Sequence, residues 1–113
     1  MHVIHHATLP RDAEGGCCRQ TVAGASICAA PFVVQTVAVE PGGATVAVTH
    51  GPALVVLALA GSGKLVLDGG PERFHAPCTL IVPAGAGHRF VNNGATPLQL
   101  VCVHAACASS ETP

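Results

Sequence analysis

An all-β barrel or sandwich is the fold class this chain predicts, and two observations carry the prediction. Short runs rich in valine and leucine recur along almost its whole length, and each is cut off by a cluster of glycine, proline or aspartate. No stretch of a dozen residues keeps apolar side chains at i, i+3 and i+4 without a glycine, proline or β-branched interruption, so helices are not expected. With 113 residues the chain suffices for one core and not for two.

The elements follow in order. The first thirty residues are weakly patterned; Gln20 to Val22 and Ser26 to Ala30 are their best strand candidates, placed as an arm over residues 1–31 that covers an edge. Phe32 to Glu40 is a long strand, closed by Pro41-Gly42-Gly43. Ala44 to Val48 is a second strand, ended at Gly51-Pro52, and Ala53 to Ala60 a third, ended by Gly61-Ser62-Gly63. Lys64 to Leu67 is a fourth, followed by Asp68-Gly69-Gly70-Pro71. Each break supplies the positive or fixed φ that a tight turn needs. Arg73 to His75, Thr79 to Val82, Gly87 to Asn92 and Pro97 to His104 complete at least eight short strands, with the barrel assigned to 32–105. Residues 106–113 are read as a flexible tail with little to bury.

Composition removes several function classes. Five Lys and Arg, three Phe and no Trp or Tyr supply neither the basic stripe nor the stacking platform of a nucleic-acid binder. The longest apolar stretch, Pro52 to Ala60, is too short to cross a bilayer as a helix. The start, Met1-His2-Val3-Ile4-His5-His6, has no basic segment followed by a long apolar run, so the cytoplasm is the expected location and neither membrane nor nucleic acid is an expected partner. There the six cysteines (Cys17, Cys18, Cys28, Cys78, Cys102 and Cys107) are expected to be reduced, mostly as small core residues. No Cys-x-x-Cys pair offers a structural zinc site, and the adjacent Cys17 and Cys18 would bridge only with strain.

Chemistry is expected around two histidines. His88 follows the turn Pro83-Ala84-Gly85-Ala86-Gly87 at the head of a strand, and His50 ends an earlier one, so both imidazoles can face one barrel interior. Arg89, next to His88, alternates outward.

The chain resembles a small single-domain cupin, an all-β double-stranded β-helix or jelly-roll-like barrel, over roughly Phe32 to Ala105. The second cupin motif, Gly-x5-Pro-x-Gly-x2-His-x3-Asn, finds Pro83, Gly85, His88 and Asn92 in register, with Pro77 at the first Gly position. The first motif, Gly-x5-His-x-His-x3/4-Glu-x6-Gly, runs from Gly42 to Gly61 but is degenerate: Val48 stands at the first His position, His50 at the second, and Leu54 at the Glu position. Two of the family's four metal ligands are therefore hydrocarbon.

Three functions follow from that resemblance. The first is a small-molecule enzyme of isomerase, lyase or cyclase type, with His50 and His88 as catalytic residues in an apolar pocket lined by Val48, Leu54, Phe90 and Asn92. Hydrocarbon there favours a neutral imidazole, which can act as a general base. The second is a metal-dependent cupin, oxygenase-like or a lyase, holding a single divalent ion (Zn, Fe, Mn, Ni or Cu) on His50 and His88, with His75, Cys102 or His104 completing the set. Cys102 and His104 share one strand face by period-two alternation. The third is a non-catalytic or vestigial cupin that binds a ligand. Asn92 also suits a residue that braces a turn. The resemblance further implies a homodimer, in keeping with an unusually apolar chain that is only 10% charged.

Overall fold

The computed structural model describes residues 3–24, 31–48 and 51–105. Among the described residues it is all-β apart from one 3-10 turn, His6–Thr8, and contains nine strands: β1 (Asp12–Glu14), β2 (Cys17–Ala23), β3 (Phe32–Val39), β4 (Leu54–Ala60), β5 (Ser62–Leu67), β6 (Gly70–His75), β7 (Cys78–Val82), β8 (His88–Val91) and β9 (Leu98–Ala105). They form a six-stranded sheet of order β1-β2-β3-β9-β4-β7 and a three-stranded sheet of order β6-β5-β8, with every pair antiparallel. No helix among the described residues is long and apolar enough to cross a membrane.

Alternation decides which side chains meet between the sheets. In β4, Leu54, Val56 and Ala58 are buried while Val55, Leu57 and Leu59 are exposed. Val37 and Val39 of β3 and Leu98, Leu100 and Cys102 of β9 join them from the large sheet. Leu65, Phe74 and Phe90 close the core from the small sheet, the two phenyl rings edge to face at 6.4 Å. Gly63 is the thin point of this interface: a Cβ there would lie 2.6 Å from the Val91 carbonyl oxygen and 3.0 Å from a Leu98 methyl. Only glycine lets the sheets approach so closely.

Several expected elements differ in extent. β2 is seven residues long, beyond Gln20 to Val22, and β1 pairs with it through the Gly15-Gly16 turn, both glycines having positive φ. Ser26 to Ala30, Cys107 and the tail lie outside the described residues. Ala44 to Val48 is not a regular strand. It runs along β8 with isolated bridges at Ala44 to Val91 and Val48 to His88, whose offset differs by one residue. The cause is Thr45, whose Oγ1 accepts the Phe90 N–H at 2.9 Å in place of a backbone carbonyl, while Thr45 N–H donates to Phe90 O at 2.9 Å. A side-chain hydroxyl thus takes over one rung of the ladder and bends the segment.

Candidate functional site

His88 owes its place to the turn before it. Ala86 N–H donates to Pro83 O at 3.2 Å, and Gly85 has φ +81° at the third turn position, the geometry of a type II turn that calls for glycine. The turn is tied to the middle of the first motif by Gly85 N–H donating to Gly51 O at 2.8 Å. Val48 and His88 then exchange both backbone hydrogen bonds, at 2.9 and 2.8 Å. The two motif positions, one hydrocarbon and one imidazole, therefore stand side by side at the mouth of the barrel.

The cavity they border encloses about 250 Å³ between the sheets. At ~30 Å³ per molecule of liquid water, that is room for about eight waters. Val37, Val48, Leu54 and Phe90 supply hydrocarbon walls, and His88, Thr45, Arg19, Gln35, Cys102 and His104 the polar or ionisable groups. This is the usual make-up of a small-molecule site: apolar lining with a few convergent polar atoms.

Each imidazole is oriented by a carbonyl. His88 Nδ1 lies 3.2 Å from Ala86 O, and His104 Nδ1 lies 2.8 Å from Ala105 O. A carbonyl oxygen only accepts, so Nδ1 carries a hydrogen in both rings, and in the neutral imidazole the lone pair is on Nε2. The His88 ring also packs edge-on to Phe90, with centroids 6.1 Å apart.

The remaining expected site residues divide. Val48, Leu54 and Phe90 border the cavity, and Cys102 and His104 share its wall. Asn92 does not line it. Its side chain is fully buried, donating from Nδ2 to Val39 O at 2.8 Å and Thr96 O at 2.9 Å, while Oδ1 accepts Gly94 N–H at 2.8 Å. It braces the loop between β8 and β9. His75 also lies apart from the cavity: Phe74 points inward, so the next residue in β6 points out, and His75 is exposed. Arg89 is exposed, as alternation expects. His50 lies outside the described residues.

Arg19, Gln35 and Thr45 are cavity residues that the sequence analysis missed. A signal existed for two of them. Val33, Gln35 and Val37 share one face of β3, and Cys17, Arg19 and Thr21 one face of β2, so a polar residue interrupts an otherwise inward-facing row in each.

Among the described residues, which leave out His50, the cavity side chains do not by themselves make up a metal site. No group of three or more His, Cys, Asp or Glu among the described residues is arranged to hold a metal ion. Burial pushes the Cys102 thiol up to about 11, only partly opposed by the nearby Arg19 charge. The same guanidinium repels a divalent cation in the cavity.

Known proteins place this architecture. The family model for the Cupin domain matches residues 35–104. The chain belongs to the cupin family. Among solved structures, this cupin resembles the polyketide cyclase RemF from Streptomyces resistomycificus, at 23% identity and TM-score 0.78, covering 95% of this chain and 80% of that one. A sugar phosphate isomerase of the cupin superfamily from Silicibacter pomeroyi matches at 21% identity and TM-score 0.76, over 94% of this chain and 76% of that one. A cupin 2 domain-containing protein from Halorhodospira halophila matches at 30% identity and TM-score 0.74, over 85% and 68%. No protein of curated function matches the chain.

Proposed function

We propose that this cupin is a small-molecule enzyme of isomerase, lyase or cyclase type that moves a proton at a carbon next to a carbonyl, with His88 as the base. The observation that carries the reading is the His88 ring itself. Its Nδ1 hydrogen is held by the Ala86 carbonyl, its ring borders a largely apolar cavity, and Nε2 is left as the basic nitrogen. Thr45 suits the opposite task. Its Oγ1 accepts from Phe90 N–H, so the hydroxyl hydrogen remains to polarise a ligand oxygen. Val48 and Leu54, in place of two metal ligands, keep the pocket apolar. His50 stays a second candidate base.

Proton abstraction can be read without knowing the natural substrate. A panel of one- and two-ring ketones incubated with the protein in deuterated buffer should exchange α-hydrogen faster than in buffer alone, followed by NMR. His88→Ala should lower that rate by about 100-fold or more, the usual share of a positioned general base. Parent-like exchange in the variant would remove His88 from the mechanism. Binding of the panel without exchange by the parent would make the protein a ligand-binding cupin instead.

The partner we propose is a second copy of the chain, docked on the outer face of the large sheet. Register aligns Ile81, Val55, Val103 and Val34 in one row across four strands, and Thr79, Leu57, Val101 and Thr36 in the next. Ile81 is 68% exposed and Leu59 57%. A continuous apolar sheet face of this kind is what a soluble chain covers by self-association. Leu57→Glu combined with Leu59→Glu should halve the mass measured by light scattering, with the circular dichroism spectrum unchanged. A parent that already runs as a monomer would contradict the pairing.

A further inference from the structure

Arg19 takes no part in the proton transfer described above, yet it stands in the wall of the same cavity. A guanidinium carries five N–H donors. One of them, on Nη1, donates to Gln35 Oε1 at 3.0 Å, and Gln35 Nε2 donates in turn to Thr21 Oγ1 at 3.1 Å. Gln35, itself held by Thr21, therefore orients the cation without neutralising it. Asp12 is its cross-strand neighbour in the β1–β2 pair but is exposed, and no ion pair joins the two among the described residues. A half-buried cation held only by neutral partners is a site in want of an anion.

We propose that the cavity takes a ligand with one carboxylate on an apolar body of one or two rings, and that Arg19 holds the carboxylate. The proposal rests on reading the cavity as a ligand site and adds the class of ligand. Guanidinium and carboxylate match as planar forks, which a lysine or a neutral donor would not reproduce. Val37, Leu54 and Phe90 face the ring system, and 250 Å³ sets its size. A doubly charged phosphate ester would call for more cationic partners than the single guanidinium that lines the cavity. Beyond Arg19 the wall opens into a second, wider cleft that shares Arg19, Val46 and Val48 with the cavity and carries Arg11 together with the carboxylates of Asp12 and Glu14.

Calorimetric titration at fixed ionic strength with 2-naphthoate and its uncharged counterpart 2-naphthamide tests the assignment. The parent should prefer the carboxylate by about tenfold or more, the scale of one charge-assisted hydrogen-bonded pair. Arg19→Gln should bring the two affinities together while leaving that for the amide unchanged, and Arg19→Lys should keep part of the preference. Equal affinities in the parent, or a preference that survives in Arg19→Gln, would overturn the carboxylate assignment and leave the cavity as a ligand site. Failure of both compounds to bind the parent would overturn the ligand-site reading and this proposal together.

Discussion

Asn92→Ala is expected to lower the unfolding free energy by about 3 kcal/mol, from three lost hydrogen bonds at about 1 kcal/mol each. The side chain is 0% exposed and ties three separate backbone groups: the Val39 carbonyl at the end of β3, the Thr96 carbonyl, and the Gly94 N–H. Backbone bonds from Asn92 N–H to Gly43 O, and from Gly42 N–H to Asn92 O, add the Pro41-Gly42-Gly43 turn to the same node. Removing the amide leaves polar groups in a dry site, where each costs more than the net value of a bond made in water. Asn92→Asp should be worse than alanine at neutral pH. It keeps an acceptor for Gly94 N–H but turns a carboxylate oxygen toward two carbonyls, which repel it. Urea unfolding at one protein concentration is the measurement, with a lower midpoint and unchanged slope expected, and a Tm reduced by on the order of 10–20 °C. A loss below about 1 kcal/mol in Asn92→Ala would mean that this node is hydrated and the loop independently held.

The strands were legible because their pattern is simple. β4 reads as apolar throughout, and its flanking Gly51-Pro52 and Gly61 mark its ends; β7 and β9 are equally plain. Ala44 to Val48 has the composition of a strand, but its pairing is bent by a hydrogen bond from Phe90 to a threonine hydroxyl that no composition reveals. β1 escaped because Asp12-Ala13-Glu14 carries no β-forming side chain and exists through its pairing with β2. At the site, the Pro/Gly turn pointed to His88 and period-two alternation paired Cys102 with His104. Asn92 was harder, since a buried brace and a pocket residue share one position in the second motif. Arg19 and Gln35 each interrupt an inward-facing row of their strand, but their significance comes from the contact that joins β2 to β3, which neither strand shows alone.

Alkaline pH should destabilise this protein through Cys102. Desolvation raises its thiol from the ordinary 9.0 to about 11, so between those values the unfolded chain gives up the proton and the folded chain keeps it. The folded state then binds more protons than the unfolded one, and stability falls as pH rises. The contribution is intact below pH 9 and shrinks by about 2 kcal/mol by pH 10.5, at 1.36 kcal/mol per pH unit of full linkage. Cys17, also raised mainly by burial, acts in the same direction. The absence of tyrosine removes the usual competing titration in this range. Unfolding free energies from urea, measured at intervals between pH 8 and pH 10.5, should fall steeply in the parent and less steeply in Cys102→Val, which keeps a side chain of similar size without the proton. Parallel curves for the two proteins would mean that the Cys102 thiol is solvated in the folded state. The steeper parent curve would mark Cys102 as a neutral wall at physiological pH, so that the hydrocarbon side of the cavity reaches from Leu54 past Cys102 to the guanidinium of Arg19.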